Sequence, residues 1–409
     1  MKFNEKALIH NKESFSRDVL VKRFNELGFN NLARMELFLW DLEIYLQIQD
    51  ILQDKVVLKG GTAAQFYLPI DYQRTSIDID MVCSVDEPTI QSALSDIERK
   101  FDGEGSLFKF RPHNPETPKT ALPLLTYYLD VPSVCSGKEL FSGSIDSQEI
   151  KIEFFMHEKL PLIHRISSPN IFAFETDKTY QILPLNVLTG DKLTTLGPNT
   201  IGIPLDRFDE YIKQTYDIDA LINFQWEGID FNQIKEYFMY RAKLESSYRH
   251  IDFKINNIVS DILAQMKDLS SVDIDKNEEL KKLINDFQSL YLRKSIIRSV
   301  SEWAIVGAKL HILLEFLFLK EDGKDKLRDI FALENKLAFE KIQGVERGKI
   351  IGEFNDTFSH KFEKYSKWTA KILKGKNPKR IFWAVISSNN IEEVGSWIND
   401  FIKSKKLSD

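Results

Sequence analysis

The sequence has little of what several common protein classes need. Its two cysteines, Cys83 and Cys135, cannot form a disulfide framework and stand in no CxxC spacing that would hold zinc. Seven histidines show no HxxxH or HxH spacing and no evident Ser or Cys partner, which argues against a zinc site and a hydrolase triad. The P-loop pattern GxxxxGKS/T and the Rossmann glycine fingerprint are both missing. No stretch is long and apolar enough to span a membrane. The most hydrophobic one, WAIVGAKLHILLEFLFLK at 303–320, is broken by Lys309, His311 and Glu315 and reads as a buried helix. The opening MKFNEKALIHNKESF lacks the apolar core of a secretory signal, so a cytoplasmic protein without membrane association is expected.

What is present is ordinary for an ordered soluble chain of 409 residues, a length that favours two domains. The net charge of −6 argues against nonspecific nucleic-acid binding, but it conceals an asymmetry. Residues 1–225 carry 23 Lys+Arg against 33 Asp+Glu, a net of −10, and residues 226–409 carry 32 against 28, a net of +4. The segment 361–380 holds eight basic residues and one acidic one. It reads either as a solvated helix face or as a phosphate-backbone contact surface with Trp368 and Trp383 nearby for stacking. In the second reading Lys371, Lys374, Lys376, Lys379 and Arg380 guide an RNA toward a catalytic cleft.

Periodicity divides the chain in a similar place. Two helical patterns occupy the first fifty residues, broken at Gly28–Asn31. From Val56 to about residue 225, strand patterns (VVLKGG, SIDIDMV, LLTYYLDV, QEIKIEFFMHE) mix with helical ones (TAAQFYL, TIQSALSDIERKF, NVLTGDKLTTL, FDEYIKQTYDIDALINF). Beyond that only the helical period remains, with no repeat. An α+β domain with a central mixed sheet over 1–225, followed by an all-α helical bundle over 226–409, is the expected architecture.

Side chains two apart on a strand point the same way, so Asp78 and Asp80 share one face and Ile77, Ile79 and Met81 the other. An acidic pair of this kind is often only the wet face of a sheet. Two adjacent carboxylates repel, however, unless a cation lies between them, and Mg²⁺ takes carboxylate oxygens together with substrate phosphates. Glu153 in EIKIEFF lies on the same strand face as Lys151 and Phe155. It is a candidate third ligand if its strand neighbours Asp78–Asp80, or else a surface glutamate. Without a cation, three such acids should repel one another and splay. Gly60 and Gly61, between a strand and a helix, would let the backbone approach a phosphate closely. Lys192 and Asp217 fall in helical patterns where exposure to water is the plainer reading.

In order along the chain, LKGGTA, RTSIDIDMV, IKIEFF, GDKLTTL and IKQTYDI resemble the AbiEii/AbiGii-type toxins of the DNA polymerase β-like nucleotidyltransferase superfamily, over roughly residues 30–225. The resemblance implies that Lys59, Gly60, Gly61 and Thr62 form a phosphate-holding turn supported by Arg74 and Ser76. It implies that Asp78, Asp80 and Glu153 bind metal, that Lys192 contacts the triphosphate, and that Asp217 is the acid of a closing helix. Many relatives have a Lys-Asp pair in that helix; here Gln214 follows Lys213. The implied activity is Mg²⁺-dependent transfer of a nucleotide from an NTP to a hydroxyl of tRNA or protein, in a toxin–antitoxin or abortive-infection system with an antitoxin partner. A nucleotide-binding protein without transfer activity and an RNA-binding module using 361–380 are the alternatives.

Overall fold

Gly28, at φ +70°, ends the first helix, α1 (Arg17–Leu27), and Asn31 caps the second, α2 (Leu32–Leu52), by accepting from the Arg34 amide. The computed structural model describes residues 4–102, 108–113, 123–135, 146–157, 162–204, 207–271, 277–320, 323–337, 344–362, 377–388 and 391–405. After α2 the chain alternates between strand and helix. It forms β1 (Val56–Leu58), α3 (Gly60–Gln65), β2 (Asp78–Cys83), α4 (Glu87–Phe101), β3 (Phe110–Pro112), β4 (Leu124–Ser133), β5 (Asp146–Met156), β6 (His164–Ser167) and β7 (Thr179–Ile182). Helices α5 (Leu185–Thr194), α6 (Phe208–Phe224) and α7 (Phe231–Tyr248) follow.

The seven strands make one mixed sheet in the order β3-β4-β5-β2-β1-β7-β6. β2 runs parallel to β5 and antiparallel to β1, and the register sets Ile79 beside Ile152, Asp80 beside Glu153 and Asp78 beside Lys151. The alternation expected for both strands is therefore present. Ile79, Met81, Ile152 and Phe154 are fully buried on one face, and the charged residues share the other. Two details differ from the expectation. β2 begins at Asp78 rather than Ser76, where its pairing with β5 begins; just before it, the Arg74 amide donates to the Gln65 side chain and the Thr75 amide to the Tyr291 carbonyl. The glycines belong to the first turn of α3 rather than to a turn before it.

The chain separates into two compact units, residues 1–194 with 212–253 and 285–297 in one, and 195–211 with 254–284 and 298–409 in the other. A cut at 225 does not match this division, because α7 packs tightly on α5. A Cβ at Gly190 would lie 2.9 Å from the Ile234 carbonyl oxygen, so only glycine allows the two backbones this close. In the second unit lie α8 (Ile255–Leu269), α10 (Val300–Phe318), α11 (Gly323–Asn335), α12 (Gly344–Phe362), α13 (Pro378–Ser388) and α14 (Ile391–Ser404), and the division crosses α6 and α9 (Glu278–Tyr291). Among the described residues there is no strand beyond 230, as the uninterrupted helical period requires.

α10 is the buried helix expected at 303–320. Its Lys309 is paired at 3.2 Å with Glu334 of α11, and among the described residues no helix is long and apolar enough to cross a membrane. The stacking role expected of Trp383 fails: the indole is fully buried and its N–H donates to Glu334 (2.9 Å). Arg380 is also buried, donating to the Ser271 carbonyl (2.9 Å) and Ser301 hydroxyl (3.2 Å), so it is a packing cation rather than a phosphate contact. Lys379 is half-buried. Trp368, Lys371, Lys374 and Lys376 lie outside the described residues.

Most of α2 is buried, including Glu36, Asp41, Glu43 and Gln47, so these polar side chains need partners. Glu36 accepts from the Ser133 hydroxyl and the Val134 amide (both 2.7 Å), and Glu43 holds His10 (2.6 Å), which in turn reaches the Tyr180 hydroxyl (2.8 Å). Asp41 is the exception. Both its carboxylate oxygens are buried without a hydrogen-bond partner, and burial, followed by the charges of Asp78 and Asp80, pushes its pKa well above the usual range. The unfolded chain ionises this group near pH 4, while the folded chain resists doing so, and folding therefore loses stability as pH rises above that value. Asp41→Asn should raise the melting temperature, with a larger gap from wild type at pH 8 than at pH 5. A gap that stays constant or shrinks over that interval, measured by scanning calorimetry, contradicts burial of a neutral acid.

Candidate active site

At the end of β1 the chain turns directly over β2. The Lys59 amide still donates to the Asp80 carbonyl (2.8 Å), and Gly60 then takes φ +73°, in the left-handed region open to glycine. A Cβ on Gly60 would lie 2.1 Å from Asp80 Oδ2, and one on Gly61 would lie 2.6 Å from Arg74 Nη2 and 3.0 Å from Ser76 Oγ. The two glycines are thus required by side chains of this chain, Asp80 for the first and the Arg74–Ser76 pair for the second. Thr62 is buried and donates its hydroxyl to the Asp78 carbonyl (3.1 Å), so it fastens α3 to β2.

Behind Gly61 stand three buried charges. Arg74 donates Nε and Nη2 to Asp217 (2.8 and 2.6 Å) and Nη1 to the Thr75 carbonyl (2.7 Å). Lys192 donates to the same carboxylate (2.8 Å) and to the Gln214 side-chain carbonyl (2.8 Å). Arg74 and Lys192 are 1% exposed and Asp217 not at all, which places Lys192 behind the face rather than open on it. Burial pushes Asp217 up, but Arg74 and Lys192 outweigh it and hold the carboxyl below its ordinary range. Asp217 therefore anchors two cations. Gln214, which follows Lys213, gives Lys192 a second acceptor without adding a charge.

Asp191 anchors two more cations. Its carboxylate meets Lys59 Nζ at 3.1 Å and Arg241 Nε at 2.9 Å. The Arg241 guanidinium lies 4.5 Å from the centre of the Phe155 ring and the Lys59 ammonium 5.6 Å from it. Burial of Asp191 is outweighed by Lys59 and Arg241, which hold its carboxyl low. The Lys59 side chain keeps 19% of its surface exposed, so this cation can still meet a ligand.

The acidic face lies among these anchors. Burial, and then the adjacent Glu153 carboxylate, pushes Asp80 up to about 6, and the two acids are within hydrogen-bonding reach. Glu153 meets Lys151 Nζ at 2.6 Å and accepts more weakly from the Thr126 hydroxyl (3.4 Å). Among the described residues, no group of three or more His, Cys, Asp or Glu side chains could hold a metal ion as it stands. The expected convergence of Asp78, Asp80 and Glu153 thus reduces to the Asp80–Glu153 pair, with Asp78 earlier on the same face. Repulsion between like charges and the lysine on Glu153 account for the difference. The donors nonetheless suit Mg²⁺: all are hard carboxylate oxygens, and two acids brought this close gain from a cation.

Asp191, Arg241 and Lys151 were not among the residues expected to matter. Lys151 was legible as a strand neighbour of Glu153 on the same face. The Asp191–Arg241 pair leaves no trace in either local pattern, since its partners sit on two helices, α5 and α7, on opposite sides of the expected boundary at 225.

Residues 45–303 match the family described as "Nucleotidyl transferase AbiEii toxin, Type IV TA system", a span that includes every site residue named above. No curated protein matches the sequence. Among solved structures, MenT4, a nucleotidyltransferase toxin from Mycobacterium tuberculosis, is similar at 14% identity and a TM-score of 0.45, over 76% of this chain and 93% of that one.

The anchoring role of Asp217 separates it from Glu153 in a stability measurement. Asp217→Ala leaves Arg74 and Lys192 buried without their counter-ion and should cost about 3–5 kcal/mol. Glu153→Gln, on the half-open face, should cost less than about 1 kcal/mol. Equal losses for the two variants in urea unfolding contradict the anchor.

Proposed function

Because the chain belongs to the AbiEii family of nucleotidyltransferase toxins, and is itself a nucleotidyltransferase, we propose that the face shared by β2 and β5 is where the transfer takes place. The observation that carries this reading is the pairing of Asp80 with Glu153 directly beneath Gly60. The reaction it supports is attack of an acceptor hydroxyl on the α-phosphorus of an NTP. One P–O bond forms to the acceptor, the bond to the β-phosphate oxygen breaks, and pyrophosphate leaves. Mg²⁺ held by Asp78, Asp80 and Glu153 would supply the charge that neutralises the reacting phosphate.

The chain's own residues do the positioning. Gly60 keeps the backbone clear of Asp80, so its carboxylate stays on the reacting face. Lys59, steadied by Asp191, is the half-open cation next to Asp80 and suits a phosphate oxygen. Lys192 and Arg74, held by Asp217, support the Gly61 turn from behind and add positive charge to its surroundings. Glu153 is suited to receive the proton of the acceptor hydroxyl once Lys151 no longer occupies it. Little covalent chemistry is asked of the protein, because placement and charge lower the barrier to phosphoryl transfer.

Family membership supports a toxin in the cytoplasm with an antitoxin as its partner, and a tRNA or protein hydroxyl as the acceptor. Incubation with each of the four α-³²P-labelled NTPs, Mg²⁺ and total tRNA tests the reading. Label in RNA or in protein is expected, lost in Asp80→Ala and reduced at least tenfold in Lys59→Ala. Absence of label with all four, alongside NTP binding by equilibrium dialysis, leaves a nucleotide-binding protein without transfer activity.

A further inference from the structure

A lysine sits inside the acidic face itself. Lys151 lies beside Asp78 in the β2–β5 register and two residues before Glu153 on the same side of β5. Its ammonium is 2.6 Å from Glu153 Oε1, within ion-pair distance. The other cations near this face are engaged elsewhere: Lys59 and Arg241 by Asp191, Lys192 and Arg74 by Asp217. The Lys151 side chain is 27% exposed, and a four-carbon stem at that exposure can carry its charge out to water without disturbing the sheet.

We propose that Lys151 is a built-in counter-ion of the candidate metal site, which stabilises the paired carboxylates while no divalent cation is bound and competes with that cation for Glu153. The idea rests on the reading of Asp78, Asp80 and Glu153 as metal ligands and gives Lys151 a role of its own before the cation binds. A carboxylate oxygen in contact with an ammonium is neutralised, and a divalent cation reaching the same oxygen must displace the lysine or bear its repulsion. The lysine thereby offsets the crowding of like charges that otherwise splays such a site, at the cost of weaker cation binding. It also leaves Glu153 occupied until the cation arrives, so that loading the site and releasing the third carboxylate become one event.

Binding of Mn²⁺ alone to the full-length protein, measured by the electron paramagnetic resonance of free Mn²⁺, tests the proposal without an activity assay. Lys151→Met should bind Mn²⁺ about tenfold more tightly than wild type, an effect sized for a partly exposed charge at close range. Lys151→Arg, which keeps the cation, should bind like wild type. Without Mn²⁺ the methionine variant should melt lower than wild type, and it should gain more on adding Mn²⁺. Equal or weaker Mn²⁺ binding by Lys151→Met, while binding remains sensitive to Asp80→Ala, overturns the counter-ion and leaves the metal site standing. Binding that ignores Asp80→Ala overturns both. A measurement on the wild type alone covers the case in which the methionine variant does not fold. The ¹⁵N-labelled Lys151 ammonium, assigned by its loss in Lys151→Arg, should be protected from water exchange at first and lose that protection as Mg²⁺ is added. Protection that persists at saturating Mg²⁺ contradicts the displacement.

Discussion

The site depends on one buried carboxylate, Asp217, which binds Arg74 through both oxygens and Lys192 through one. These residues come from three separate segments: the extended stretch before β2, the helix α5 and the helix α6. Asp217 fixes where they meet. Arg74 in turn decides what can stand at position 61, and the α3 turn is therefore placed over Asp80. A buried ion cluster of this kind adds little net stability compared with a well-packed apolar one, because each charge loses its hydration. Its effect is to exclude other arrangements. Any packing that separates Arg74 or Lys192 from Asp217 leaves a bare charge in the interior, so the chain settles with the turn, the strand and the two helices in one register.

A second anchor, Asp191, does the same on the other flank by tying Lys59 to Arg241. Between the anchors lies a face that is deliberately unbalanced. Asp80 and Glu153 are close enough that burial and their mutual repulsion raise the Asp80 pKa, and Lys151 relieves only part of that. Each interior anchor sets one carboxylate between two cations, whereas this face sets the Asp80 and Glu153 carboxylates against each other, with Lys151 on Glu153 and a partly exposed Lys59 nearby. That contrast distinguishes scaffold from site in a region where almost every side chain is charged.

Much of this was legible in the sequence, and the reasons are local. Strand alternation separates Asp78 and Asp80 from Ile79 and Met81, and the same rule in EIKIEFF puts Glu153 on the matching side, so a parallel pairing of the two strands was enough to bring the acids together. The helical period beyond 230 was equally readable. Residues whose role depends on distant partners were not. Lys192 and Asp217 each look like exposed helical charges until their 25-residue separation is closed by folding. Arg241 lies past the cut that composition suggested, on α7, which packs on α5 where Gly190 lets two backbones touch. Composition also misled at Trp383 and Arg380. A basic, aromatic segment suggests a nucleic-acid surface, but amphipathic helices bury such residues whenever a carboxylate or carbonyl lies beneath, as Glu334 and Ser271 do here.

The central claim is that the β2–β5 face receives the metal and the nucleotide's reacting phosphate. It is tested most directly by crystals grown with Mn²⁺ and a non-hydrolysable NTP analogue, using the anomalous signal of manganese. The expected result is a peak within about 2.5 Å of carboxylate oxygens of both Asp80 and Glu153, with a phosphate oxygen bound to the same ion. Manganese and triphosphate located away from these two carboxylates would contradict the claim.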